Sequence, residues 1–246
     1  MNDTKTPPRF ALLACEVFKK EIALIAADAP HIAETQWFEI GLHDRPEQMR
    51  VKLQEAVNAL DARADIDAIV LAYGLCGCGT AGLRARLHRL VIPRAHDCMT
   101  VFMGSKERYA EHQKACPSCY YYTPGWNQHR RVPGPEKLED SRKELRAKFD
   151  DEDDVEFLIE TEREQWAQHD QATYLDLGTD DAEKEAEYAR GCAQWLGWKF
   201  ERLQGDPSLL RDMLWGAWSD PERFQIIEPG KQLVHQPDRL IMREDP

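Results

Sequence analysis

Seven cysteines stand in a chain of 246 residues, and three of them follow short apolar runs of strand length. Cys15 closes the run over 10–15 (FALLAC). Cys76 lies three residues past the run over 68–73 (AIVLAY), and Cys98 follows the run over 90–93 after Arg94-Ala95-His96-Asp97. Three thiolates converging on one point make a trigonal or tetrahedral zinc site, or an iron–sulfur cluster with one corner open to a small-molecule substrate. His96 and Asp97 beside Cys98 offer a fourth ligand, or a proton donor and acceptor. The same cysteines would also serve as a redox pair or a nucleophilic thiolate. A lone buried cysteine often does neither and packs as a small apolar side chain.

Gly74, Gly77 and Gly79 form a turn that lets backbone approach a bound cofactor, and their spacing does not match the dinucleotide fingerprint. Cys78 joins Cys76 on one ion only if those glycines bend the chain sharply. Cys116 and Cys119 form a C-x-x-C pair, an additional ligand pair or a redox dithiol, without the second pair a zinc ribbon needs. Cys192 sits mid-helix and reads as core. His31, His43, His88, His112, His129, His169 and His235 have no pairwise metal spacing and read as surface or capping residues. Tyr120, Tyr121, Tyr122 and Trp126 either wall a site for a methylated amine by cation–π attraction or pack. Asp176, Asp206 and Glu228 are general-base candidates whose plain alternative is capping, above all for Asp206 before Pro207.

These residues need elements to hold them. Strands are expected over 10–15, 35–40, 68–73 and 90–93. Helices are expected over 16–27, from Asp44 (as N-cap) to about 62, and over 99–114. Residues 116–135 interrupt the alternation, and 136–169 form solvated acidic helices. The alternation resumes over 172–230. The fold class expected is α/β, two Rossmann-like βαβαβ halves with parallel sheets and a cleft between them. The boundaries expected are 1–126 for the half with the cysteine site, 127–171 for an acidic helical connector and 172–246 for the second half. Ligands of such sheets collect beyond the carboxyl ends of the strands, where Cys15, Cys76 and Cys98 are placed.

Composition narrows the class. With 32 Lys and Arg against 44 Asp and Glu the net charge is −12, and no basic stripe offers itself to nucleic acid. No apolar run approaches the roughly 18 residues of a membrane span, and the start of the chain lacks the apolar stretch of a signal peptide, so a cytoplasmic protein with reduced thiols is expected.

At Ala14-Cys15, Tyr73-Gly74-Leu75-Cys76-Gly77-Cys78-Gly79, Ile92-Pro93-Arg94-Ala95-His96-Asp97-Cys98 and Tyr121-Tyr122-Thr123-Pro124-Gly125-Trp126 the chain resembles the DUF1638 domain family of bacteria and methanogenic archaea. The likeness extends over most of residues 9–230. It implies that Cys15, Cys76 and Cys98 are the family's recurrent cysteines. It also implies a role beside corrinoid-dependent methyl transfer, handling methyl groups, methylamines or a cobalt cofactor. Cys78, Cys116 and Cys119 depart from the family pattern and would enlarge the ligand set. Three functions stay open: a zinc- or iron–sulfur-binding enzyme acting on a small molecule, a non-catalytic accessory of a corrinoid protein or methyltransferase, and a thiol redox protein using Cys116 and Cys119.

Overall fold

A computed structural model of the protein describes residues 8–27 and 29–245. The strand β1 (Phe10–Cys15) is buried along its whole length, as an unbroken apolar run requires of a strand covered on both faces. A 3-10 turn leads to α1 (Lys19–Ala26), then come β2 (Ile32–Phe38), α2 (Pro46–Leu60), β3 (Ala68–Ala72), β4 (Arg89–Pro93), α3 (Cys98–Met103) and α4 (Lys106–Ala115). The middle of the chain supplies β5 (Cys119–Tyr122), α5 (Pro124–Gln128), α6 (Pro135–Arg146), α7 (Glu152–Trp166), β6 (Gln171–Asp176), α8 (Ala182–Leu196) and β7 (Lys199–Gln204). It ends with α9 (Ser208–Leu214), β8 (Phe224–Ile227), β9 (Gln232–His235) and β10 (Met242–Asp245).

The chain divides into two compact units, one formed by residues up to Tyr109 and from Asp206 onward, the other by Ala110–Gly205. In the first, a sheet of order β2-β1-β3-β4-β8 runs parallel from β2 to β4 and closes with β8 antiparallel on β4. A hairpin of β9 and β10 belongs to the same unit. In the second, β5-β6-β7 form an all-parallel sheet.

The mixed α/β class with parallel sheets is thus present, but the order of strands differs from two successive βαβαβ halves. The last strand of the expected second half, β8, instead covers the edge of β4 in the first sheet. Arg94 holds it there: its guanidinium donates to the carbonyls of Pro221 (2.6 Å), Leu240 (2.7 Å) and Met242 and to the side chain of Gln225 (2.7 Å). The second sheet takes its first strand from the segment expected to interrupt the pattern. Tyr120, Tyr121 and Tyr122 have high strand preference between the breaks at Pro117 and Pro124. The acidic segment expected as a connector lies inside the second unit, where Leu138, Val155, Ile159 and Trp166 give α6 and α7 a shared core. Two local expectations also shift. The cap position of α2 is Arg45, without a side-chain cap bond, and Asp44 ends a short 3-10 turn. The helix expected over 99–114 is two helices, broken at Gly104 with φ of 83°. Among the described residues no helix is long and apolar enough to cross a membrane.

Candidate functional site

The strands β1, β3 and β4 are neighbours pointing the same way, so their carboxyl ends lie side by side at the strand spacing of about 4.8 Å. Cys15 is the last residue of β1, and the pairing of Ala14 with Ala72 sets Tyr73 beside it. Beyond Tyr73 the chain is pinned to the loop after β4: the amide of Leu75 donates to the carbonyl of Ala95 and that of Cys76 to His96, each at 2.9 Å. Gly74 permits this approach, because a Cβ there would stand 2.7 Å from the amide nitrogen of Asp97 and 2.8 Å from the carbonyl oxygen of Ala95. Cys76, Gly77 and Cys78 follow with φ of 46°, 63° and 64°. Gly77 adopts this left-handed turn freely, whereas each cysteine bears strain of about 1–2 kcal/mol. Cys98 enters from the third side, as the first residue of α3.

The three cysteines meet electrostatically at one group. Tyr73 is 3 % exposed, and its hydroxyl has no hydrogen-bond partner. Burial drives its acidity far below that of an ordinary phenol, and the charges of Cys15, Cys76, Glu16 and Cys98 push the same way. Burial likewise pushes the Cys76 thiol up to about 12, with Asp97 and Cys15 adding to it against a backbone bond at Gly74. The Cys15 thiol is pushed up to about 11, again chiefly by burial. Cys15 and Cys76 therefore keep their protons at physiological pH. Among the described residues no three His, Cys, Asp or Glu side chains stand close enough to grip a metal ion as they lie.

The remaining sequence candidates are placed variously. Asp97 caps α3, accepting from the amide (2.9 Å) and hydroxyl (3.1 Å) of Thr100. His96 is exposed and contributes its backbone carbonyl to the turn. Asp206 accepts from the amide of Ser208 at 2.8 Å, one residue before the cap position of α9, which is Pro207 and has no side-chain cap bond. Gly79 packs against Met49, whose sulfur would lie 2.7 Å from a Cβ there. Cys78 offers its carbonyl to Arg50 at 3.1 Å. Glu228 follows β8, and because β8 runs antiparallel it lies at the edge of the sheet opposite the cysteines. Asp176 belongs to the second unit, paired with Arg202 at 2.8 Å. Cys192 is core, 2 % exposed among Tyr122, Ala189 and Ala193.

Cys116 and Cys119 lie in the second unit, in a cluster with His112 and Glu201. His112 is therefore not the surface or capping residue expected: it is half-buried and bonded on both ring nitrogens. Its spacing of four from Cys116 was the available signal, since such a pair shares one helix face. Tyr73 had a signal too, as the one polar tip of a buried run that ends in glycine.

In the comparisons with known proteins, the family described as a protein of unknown function, DUF1638, matches residues 37–214, well over half of the chain. The matched span holds Tyr73, Cys76 and Cys98, and Cys15 precedes it. No curated protein and no solved structure matches the chain.

Proposed function

We propose that this chain, which belongs to the DUF1638 family, is a metal-binding enzyme whose centre gathers Cys15, Cys76 and Cys98 around the Tyr73 hydroxyl. That hydroxyl carries the reading: it is buried, unpartnered and set among three thiols. An unsatisfied buried hydroxyl costs about 1–3 kcal/mol, which a bound ligand would remove. The ionisable groups acting on Tyr73 and Cys76 (the other thiols, Glu16 and Asp97) all carry negative charge when ionised, so the complement they call for is a cation. Thiolates select zinc or iron–sulfur centres over hard cations. Metal uptake exchanges thiol protons for the ion and needs the sulfurs to close in, which rotation about χ1 between staggered wells provides.

Such a centre would act as Lewis acid toward a small molecule, and Tyr73 would hydrogen-bond the bound group. The methyl-bearing substrates and corrinoid partners that the family resemblance implies are carried into this reading as its substrate class. The aromatic run is the face on which an accessory protein would dock, and part of it is packing. Tyr122 is fully buried, and Tyr120 and Trp126 lie against the same core.

Elemental analysis and a visible spectrum of anaerobically prepared protein test the proposal. Zinc at about one per chain without colour, or iron with sulfide and brown absorption, is the expected result. Failure to take up either after reconstitution, or equal uptake by a Cys15→Ser/Cys76→Ser/Cys98→Ser variant, overturns it.

A further inference from the structure

The second cysteine cluster has a different chemistry. Cys116-Pro117-Ser118-Cys119 is a turn closed by the Cys119 amide on the Cys116 carbonyl at 3.4 Å. A turn of this kind keeps its end Cα atoms within about 7 Å, and disulfides span about 4.4–6.8 Å. Burial and the negative charge of Cys119 push Cys116 up to about 11, so Cys116 holds its proton against its neighbour. Cys119, 6 % exposed, is approached by the side-chain amide of Gln113 at 3.7 Å and by Nδ1 of His112 at 3.9 Å.

His112 is itself oriented. Its Nε2 lies 3.0 Å from Oε2 of Glu201, an oxygen that also accepts from Gln171 (2.9 Å) and Thr173 (3.1 Å). A carboxylate only accepts, so Nε2 carries the proton and the Nδ1 lone pair faces Cys119 and the Tyr121 hydroxyl, 2.8 Å away. Nucleophile, base and orienting carboxylate thus stand in sequence. Beside them a cavity of about 450 Å³ is lined by Cys116, Ser118, Asp170, Lys199 and Glu201, charges of both signs.

We propose that Cys116 and Cys119 form a thiol–disulfide exchange site for a small zwitterionic disulfide, with His112 as proton carrier and Glu201 as its positioning residue. In the first step Nδ1 of His112 takes the proton of Cys119, whose sulfur can then accept the proton of Cys116. The Cys116 sulfur attacks the bound disulfide as its proton passes to Cys119. The substrate's S–S bond breaks, and the departing thiolate takes the proton of His112. His112 then withdraws the proton from Cys119, whose thiolate attacks Cys116. The mixed disulfide breaks, and the second thiolate leaves with that proton. The dithiol has lost two electrons and two protons, and the substrate has gained both.

Oxidised glutathione serves as the probe on the reduced full-length chain under anaerobic conditions. The expected result is one disulfide, mapped by mass spectrometry to Cys116 and Cys119, with two glutathione thiols released. Cys119→Ser is expected to stop at a glutathione adduct on Cys116. His112→Asn is expected to slow closure by about tenfold or more and to flatten its pH profile. A wild-type pair that stays dithiol at every ratio of oxidised to reduced glutathione overturns the proposal. So does a His112→Asn variant that closes at the wild-type rate. Zinc or iron content reads the first cluster independently and is unaffected by either outcome.

Discussion

Both clusters put cysteines at the end of a parallel strand, yet their surroundings prepare them for opposite chemistry. At the carboxyl edge of the first sheet, Cys15, Cys76 and Cys98 face an unpaired phenol and the acids Glu16 and Asp97. At the amino end of β5, Cys119 faces an imidazole already fixed by a carboxylate. A thiol beside a base loses a proton and reacts, whereas thiols crowded with acids await a cation. The largest expected effect is therefore a double dissociation. Cys76→Ser should abolish metal uptake and leave glutathione exchange at its wild-type rate, and Cys119→Ser should block ring closure at full metal content. Joint loss in either variant, read by elemental analysis and peptide mapping, would show that the clusters are one system.

Alkaline stability gives the next largest effect. Cys15 and Cys76 keep their protons in the fold up to about 11 and about 12, against 9.0 for an ordinary thiol. The folded state then binds more protons than the unfolded chain once pH exceeds about 9. Stability from these groups is full below that pH and falls as pH rises through the two values, by about 1.4 kcal/mol per pH unit for each thiol. Anaerobic urea unfolding of metal-free protein between pH 8 and 10.5 measures the slope. Cys15→Ala/Cys76→Ala should reduce it by the share of these two thiols, and an unchanged slope would assign the loss to other groups.

How far each cluster was legible follows from the range of the forces that build it. The first was read because β1, β3 and β4 are local apolar runs ended by polar or glycine residues, and parallel neighbours bring their ends together automatically. What failed was the partner of β4. Arg94 selects β8 through bonds to residues more than a hundred positions away, and a four-residue strand carries no mark of direction or sheet. The second cluster was half legible. The C-x-x-C spacing stood out, but Glu201 lies 89 positions from His112, and only the β6–β7 pairing brings it near Gln171 and Thr173.

The Tyr73 hydroxyl gives a smaller effect whose sign is informative. In metal-free protein, Tyr73→Phe deletes an unsatisfied buried group at nearly constant volume, and stability should rise by about 1 kcal/mol. Once the centre is loaded, the hydroxyl has a partner, and the same substitution should weaken retention of the bound group. Urea unfolding with and without zinc compares the two states. A destabilised metal-free variant would mean that the hydroxyl already has a partner in the fold.

The smallest effect expected is that of Glu201→Gln. The volume is conserved, and Gln171 and Thr173 remain to hold the new amide, so folding and metal content should be unchanged. What changes is the partner of His112 Nε2. An amide NH2 turned toward that nitrogen makes it an acceptor, moves the ring proton to Nδ1 and closes the lone pair aimed at Cys119. An amide oxygen turned the same way keeps the tautomer but loses the negative charge that stabilises the imidazolium. Either arrangement slows closure of the Cys116–Cys119 bond several-fold, less than deleting the imidazole. Closure kinetics of the wild type and the variant measure the effect, and a rate equal to the wild type would remove Glu201 from the proton path.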